Sequence, residues 1–110
     1  GSLEYANEHL GVQLIVVLGH KRCGAIQTSV NGGTIHGNVG SLVRAILPAV
    51  INTKDLKGDS VDNAVRENIR INVENIKNQS HILDEMTREE KLTIIGAYYD
   101  IDTGEVEFFN

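Results

Sequence analysis

The spacing of apolar residues changes several times along the chain, and each change marks an expected element. Leu3, Ala6 and Leu10 share one face of a short helix, with Ser2 as its N-cap and Gly11 as its stop. Leu14-Ile15-Val16-Val17-Leu18 runs without alternation, the pattern of a strand buried on both faces of a parallel sheet, and Gly19 ends it. Helical composition resumes from Gly24 to Val30, and the glycines and asparagines of 31–40 predict a loop. Ser41 to Ile51 forms another apolar-faced helix, with Pro48 inside it predicting a kink or a break. Beyond a polar stretch, Val61, Val65, Ile69, Val73, Ile76 and Leu83 recur near helical spacing. Asn78 to Ser80 interrupts this segment, Ser80 capping a further helix that runs toward Lys91. Leu92 to Ile101 is rich in β-branched and aromatic residues, turns at Asp102-Thr103-Gly104 and returns through Glu105 to Phe109 as a hairpin.

This order predicts an α/β fold: a mostly parallel sheet flanked by helices, with a C-terminal antiparallel edge hairpin, in one domain over 1–110. A chain of 110 residues supports one small core and no more. Apolar residues at 41% and charged residues at 23% exclude a disordered polymer, and the run Leu14 to Leu18 is far too short to span a bilayer. A net charge of −5 argues against nucleic-acid binding, which needs clustered cations. The single cysteine excludes an intrachain disulfide; it fits a reducing compartment such as the cytoplasm, or a thiol kept for chemistry.

The chemistry concentrates in Gly19-His20-Lys21-Arg22-Cys23-Gly24, where the strand gives way to a helix. Ligands of open α/β sheets bind at such carboxyl ends of strands. The positive end of the following helix, with Lys21 and Arg22 adjacent, would favour a negatively charged sulfur on Cys23. An imidazole and a thiolate three residues apart can turn toward one cation, and zinc accepts both. Two other readings stand beside this one: a packed thiol with a surface histidine, and a Cys–His nucleophile pair, for which no orienting third residue is near. His9, His36 and His81 are scattered and take no role. Asp62 and Arg66, at i and i+4, predict an exposed ion pair worth a few tenths of a kcal/mol. Tyr98 and Tyr99 fall on opposite faces of their strand, one packed inward and the other reaching a polar partner or solvent.

Several motifs in order carry a resemblance to a known family. Ser2-Leu3-Glu4-Tyr5-Ala6 through Leu10-Gly11-Val12, and Leu18 through Gly24-Ala25, resemble the middle of a β-class carbonic anhydrase. Gly40-Ser41-Leu42-Val43, Ile46-Leu47-Pro48-Ala49-Val50, Glu67-Asn68-Ile69 with Val73, and Gly96-Ala97-Tyr98-Tyr99-Asp100 with Thr103-Gly104 are similar to its later segments. The resemblance implies a zinc lyase that reversibly hydrates carbon dioxide to bicarbonate, with the metal held by two cysteines, one histidine and an exchangeable fourth position. His20 and Cys23 match two of those ligands; separately, its place at the helix start makes the Gly24 backbone N–H a candidate donor to a bound anion. It further implies a homo-oligomer, dimer or tetramer, with neither nucleic acid nor membrane as a partner. The family's C-x-D-x-R segment, source of the other cysteine and of an Asp–Arg pair, has no match in these residues. In the family that segment also forms strands beside the one matching Leu14 to Leu18. The expectation is therefore catalysis by a longer protein, with these residues alone inactive; the alternative is a non-catalytic oligomerisation module of the same fold. A third arrangement, two copies pooling His20 and Cys23 at one zinc, runs against the separate metal sites of family dimers.

Overall fold

The computed structural model describes residues 13–31 and 39–109. The expected helix at 3–10, most of the expected loop at 31–40, and both His9 and His36 lie outside them. The element order is β1 (Leu14–His20), α1 (Gly24–Asn31), α2 (Val39–Thr53), α3 (Ser60–Gln79), α4 (His81–Arg88), β2 (Thr93–Tyr99) and β3 (Val106–Phe109). β1 pairs parallel with β2 in the register Leu14 opposite Thr93 to His20 opposite Tyr99, and β3 returns antiparallel along the other side of β2. This is the expected α/β architecture, a parallel pair closed by an antiparallel hairpin.

α3 is the spine of the core. Asp59 caps it by accepting the N–H groups of Val61 and Asp62 at 2.9 and 3.1 Å, satisfying two donors that a first turn leaves unpaired. Its buried stripe of Ala64, Val65 and Ile69 packs with Ile26 of α1, Ile46 of α2 and Tyr98 of β2. A second cluster joins Leu83 of α4 to Leu92 and Ile94. Ser80 ends α3 and caps α4, its hydroxyl accepting the Leu83 N–H at 3.2 Å, as the sequence predicts. The sheet approaches α3 so closely that two glycines are required. A Cβ on Gly96 would stand 2.4 Å from Ile69 Cγ2, and one on Gly19 would stand 2.6 Å from Ile69 Cδ1.

Two expectations are corrected. Pro48 does not break its helix: α2 is continuous from Val39 to Thr53. Its Val43, Ile46, Ala49 and Thr53 are all buried, whereas Pro48 lies on the exposed side, so packing outweighs the lost backbone hydrogen bond. β1 is not buried on both faces. Ile15, Val17 and Gly19 turn toward α3, but Leu14, Val16 and Leu18 are 52%, 40% and 60% exposed. Both core clusters take their strand residues from a single face of the sheet, Val17, Tyr98 and Phe109 in one and Ile15 and Ile94 in the other. Phe108 of β3 extends the opposite apolar face at 59% exposure, and beside it Ala97 is shielded by its register neighbours Leu18 and Phe108.

Candidate metal site at the end of β1

His20 is the last residue of β1, and Lys21 and Arg22 form a tight turn into α1. The turn requires Arg22 to take the left-handed conformation, with φ of 57°, which disfavours any residue bearing a Cβ by about 1–2 kcal/mol. Cys23 follows as the N-cap position of α1, its carbonyl accepting the Gln27 N–H at 2.9 Å. His20 and Cys23 thus flank a two-residue turn, and both line one cleft of about 230 Å³. Val17, Ile26, Ile46 and Val65 give that cleft an apolar floor, while Asn68 and Asn72 of α3 supply amides at its rim.

The histidine tautomer follows from its neighbour. His20 Nδ1 lies 3.0 Å from the Lys21 carbonyl oxygen, and a carbonyl only accepts, so Nδ1 carries the proton and donates it there. A neutral His20 then keeps the lone pair of Nε2 for an electrophile, the arrangement in which metal-binding histidines are held. Cys23 is half-buried and forms no disulfide. One imidazole nitrogen and one sulfur on the same cleft fit the ligand chemistry of zinc, and they account for two of the four positions of a tetrahedral shell. Among the described residues no group of three or more His, Cys, Asp or Glu side chains converges. Gly24 opens α1 at an exposed position, with open space beyond its own helix and chain neighbours where a Cβ would stand. His81 is exposed at the start of α4, away from the cleft.

Lys21 and Arg22 face carboxylates of the hairpin. Both cations are engaged by the β2–β3 turn: Lys21 Nζ lies 3.0 Å from Asp102 and 3.8 Å from Asp100, and Arg22 also pairs with Asp102. The hydrogen bond to Asp102 and the charge of Asp100 hold the Lys21 ammonium above its ordinary range, while Lys21 and Arg22 hold the Asp102 carboxyl below its own. The backbone reinforces the contact, since the Lys21 N–H donates to the Tyr99 carbonyl at 2.9 Å and so extends the β1–β2 ladder into the turn.

A second polar network ties α3 to the hairpin. The expected Asp62–Arg66 pair is present at 3.0 Å, but it is not an isolated surface pair. The hydroxyl of Tyr98 donates to Asp62, Arg66 reaches Glu107, and the Arg66 guanidinium lies 4.2 Å from the centre of the Tyr98 ring. Burial and the Asp62 hydrogen bond push the Tyr98 phenol up to about 12. Tyr98 is therefore both the inward-packed tyrosine and the one with a polar partner. The signal for the first network was local composition, acids at 100 and 102 and cations at 21 and 22, but their proximity follows only from the parallel pairing of β1 with β2.

Comparison with known proteins agrees with this geometry. A family model described as carbonic anhydrase matches residues 1–106. Carbonic anhydrase 2 of Mycobacterium tuberculosis is 33% identical over 108 residues, covering 94% of this chain and 52% of that protein. A carbonic anhydrase of Helicobacter pylori is 27% identical over 126 residues, covering 99% and 54%. The chain spans about half the length of these curated relatives. Among solved structures, the β-carbonic anhydrase CcaA superposes with a TM-score of 0.82 at 26% identity, covering 99% of this chain and 52% of its own. Tetrameric β-carbonic anhydrases from Sordaria macrospora give 0.79 at 25% identity, covering 98% and 57%. With the family model spanning nearly every residue, and the fold shared from the parallel pair to the hairpin, this chain belongs to the β-carbonic anhydrase family.

Proposed function

We propose that the whole protein catalyses the zinc-dependent, reversible hydration of carbon dioxide to bicarbonate, and that His20 and Cys23 are two of its metal ligands. The observation that carries this is the pair's placement on one apolar-floored cleft at the carboxyl end of β1, with the His20 proton assigned to Nδ1. When bound, zinc supplies a Lewis acid that lowers the pKa of a coordinated water toward about 7. His20 gives the ion a neutral nitrogen whose orientation the Lys21 carbonyl fixes. Cys23 gives it a sulfur at the amino end of α1, where the helix dipole offsets part of the negative charge. The apolar floor of Val17, Ile26 and Val65 suits carbon dioxide, which has no net dipole, and the Gly24 N–H would receive the anionic product.

The test is elemental analysis of the purified whole protein together with stopped-flow hydration of carbon dioxide. About one zinc per chain is expected, and both His20→Ala and Cys23→Ser should remove the metal and the activity together. A metal-free, inactive parent protein would end the proposal, and half a zinc per chain would indicate that two copies share one ion. The exposed apolar sheet face of Leu14, Val16, Leu18 and Phe108 favours one alternative, a non-catalytic oligomerisation module. That module would assemble identically after either substitution and bind no zinc. Homo-oligomerisation itself is consistent with both readings and with the tetramers of the Sordaria relatives.

A further inference from the structure

The turn between the two candidate ligands is anchored from outside at the Asp102 carboxylate, with Asp100 farther off at 3.8 Å from Lys21. Lys21 and Arg22 are the only residues separating His20 from Cys23, and both side chains converge on Asp102 in the turn between β2 and β3. That turn is itself ordered. The Asp102 N–H donates to Asp100 Oδ1 at 2.9 Å, the Gly104 N–H to the Asp100 carbonyl at 2.8 Å, and the Asp100 N–H to the Glu105 carbonyl at 2.9 Å. On the other side, Arg22 holds a left-handed conformation that a residue with a Cβ adopts only when its surroundings impose it. Among the described residues, the turn is restrained by the Arg22 and Lys21 side-chain pairs with Asp102, by the Lys21-to-Tyr99 backbone bond, and by the His20 Nδ1 bond to the Lys21 carbonyl. Exposed ion pairs contribute little to global stability. Their effect on a two-residue turn is different, because fixing the turn fixes the separation and mutual orientation of the groups at its ends.

On the strength of the zinc reading above, we infer that Asp102 is a positioning residue for the metal pair: its carboxylate locks the Lys21-Arg22 turn and so presets His20 and Cys23 for one ion. It touches neither metal nor substrate. Residues that orient metal ligands from outside the coordination shell typically alter metal affinity about 10–100-fold when removed.

The experiment uses the whole protein loaded with cobalt in place of zinc, which reports thiolate ligation through a sulfur-to-cobalt charge-transfer band, together with zinc affinity from chelator competition. For Asp102→Ala we expect about a tenfold or greater loss of zinc affinity and altered cobalt ligand-field bands, with an unchanged melting temperature. Asp102→Glu should restore most of the affinity, and Glu105→Gln, which removes a charge from the same turn without touching Lys21 or Arg22, should retain the parent value. Parent-like affinity and spectra in Asp102→Ala overturn the inference while leaving the zinc reading intact. So does an affinity loss that tracks a lowered melting temperature and is not rescued by Glu. Absence of the sulfur-to-cobalt band in the parent protein overturns the zinc reading and this inference with it.

Discussion

Ile69 packs against both Gly19 and Gly96 of the sheet, so a methyl group added at Gly96 is an informative single perturbation of the core. The added Cβ would lie 2.4 Å from Ile69 Cγ2 and 3.2 Å from Phe109 Cδ2, against about 3.5–4.0 Å for a relaxed carbon contact. Ile69 has little room to move toward β1, because even a Cβ placed on Gly19 would stand only 2.6 and 2.7 Å from its Cδ1 and Cγ1, and the residue is only 3% exposed. Overpacking of this kind costs about 1–3 kcal/mol, and the lack of room to yield places Gly96→Ala at the upper end, about 2–3 kcal/mol. Ile69→Ala alone should cost about 3 kcal/mol for the lost burial and the cavity. In the double variant the methyl at position 96 meets no Ile69 side chain, so the total should stay near the Ile69→Ala value, a coupling of about 2 kcal/mol. Equilibrium urea unfolding followed by circular dichroism measures all three. Gly96→Ala within about 0.5 kcal/mol of the parent, or effects that add to within that margin, would refute the claim that helix-to-sheet distance is set at this contact.

Other outcomes follow from the same structure. In a spectrophotometric phenol titration Tyr98 should ionise near 12, well after an ordinary tyrosine, and Tyr98→Phe should remove that late step. Because its proton is held more tightly in the folded state, the linked stability is complete below about pH 10, the unfolded value, and is lost as pH rises from there through about 12. The loss is on the order of 2 kcal/mol. Glu90, with φ of 60°, ends α4 in the left-handed position usually given to glycine, the Lys91 N–H donating to the Met86 carbonyl at 2.9 Å. Glu90→Gly should therefore stabilise the protein by about 0.5–1 kcal/mol, the relief of strain exceeding the added entropy of the unfolded chain; a lower melting temperature would contradict this.

Elements whose cause is local were legible in the sequence. The helical spacing of Val65, Ile69, Val73 and Ile76, the cap at Ser80, and the hairpin around Thr103-Gly104 all appear where their residues predict them. The break offered at Pro48 is absent because the rule against proline in helices is local, while Val43, Ile46 and Ala49 are buried against the rest of the fold. The run Leu14 to Leu18 announced a parallel strand correctly, yet its composition says nothing about which face is covered. That His20 and Cys23 line one cleft was legible from their spacing. Asp102 was not, because it lies 80 residues from Arg22 and meets it only through the β1–β2 register. Tyr98 with Asp62 was missed for the same reason, since neither residue signals the other without α3 resting on the sheet.

Zinc K-edge X-ray absorption on the whole protein addresses the metal pair most directly. Two metal ligands at His20 and Cys23 require nitrogen at about 2.0–2.1 Å and sulfur at about 2.3 Å around the zinc, with one sulfur lost in Cys23→Ser and the nitrogen shell diminished in His20→Ala. A shell that neither substitution alters would show that this cleft does not hold the metal.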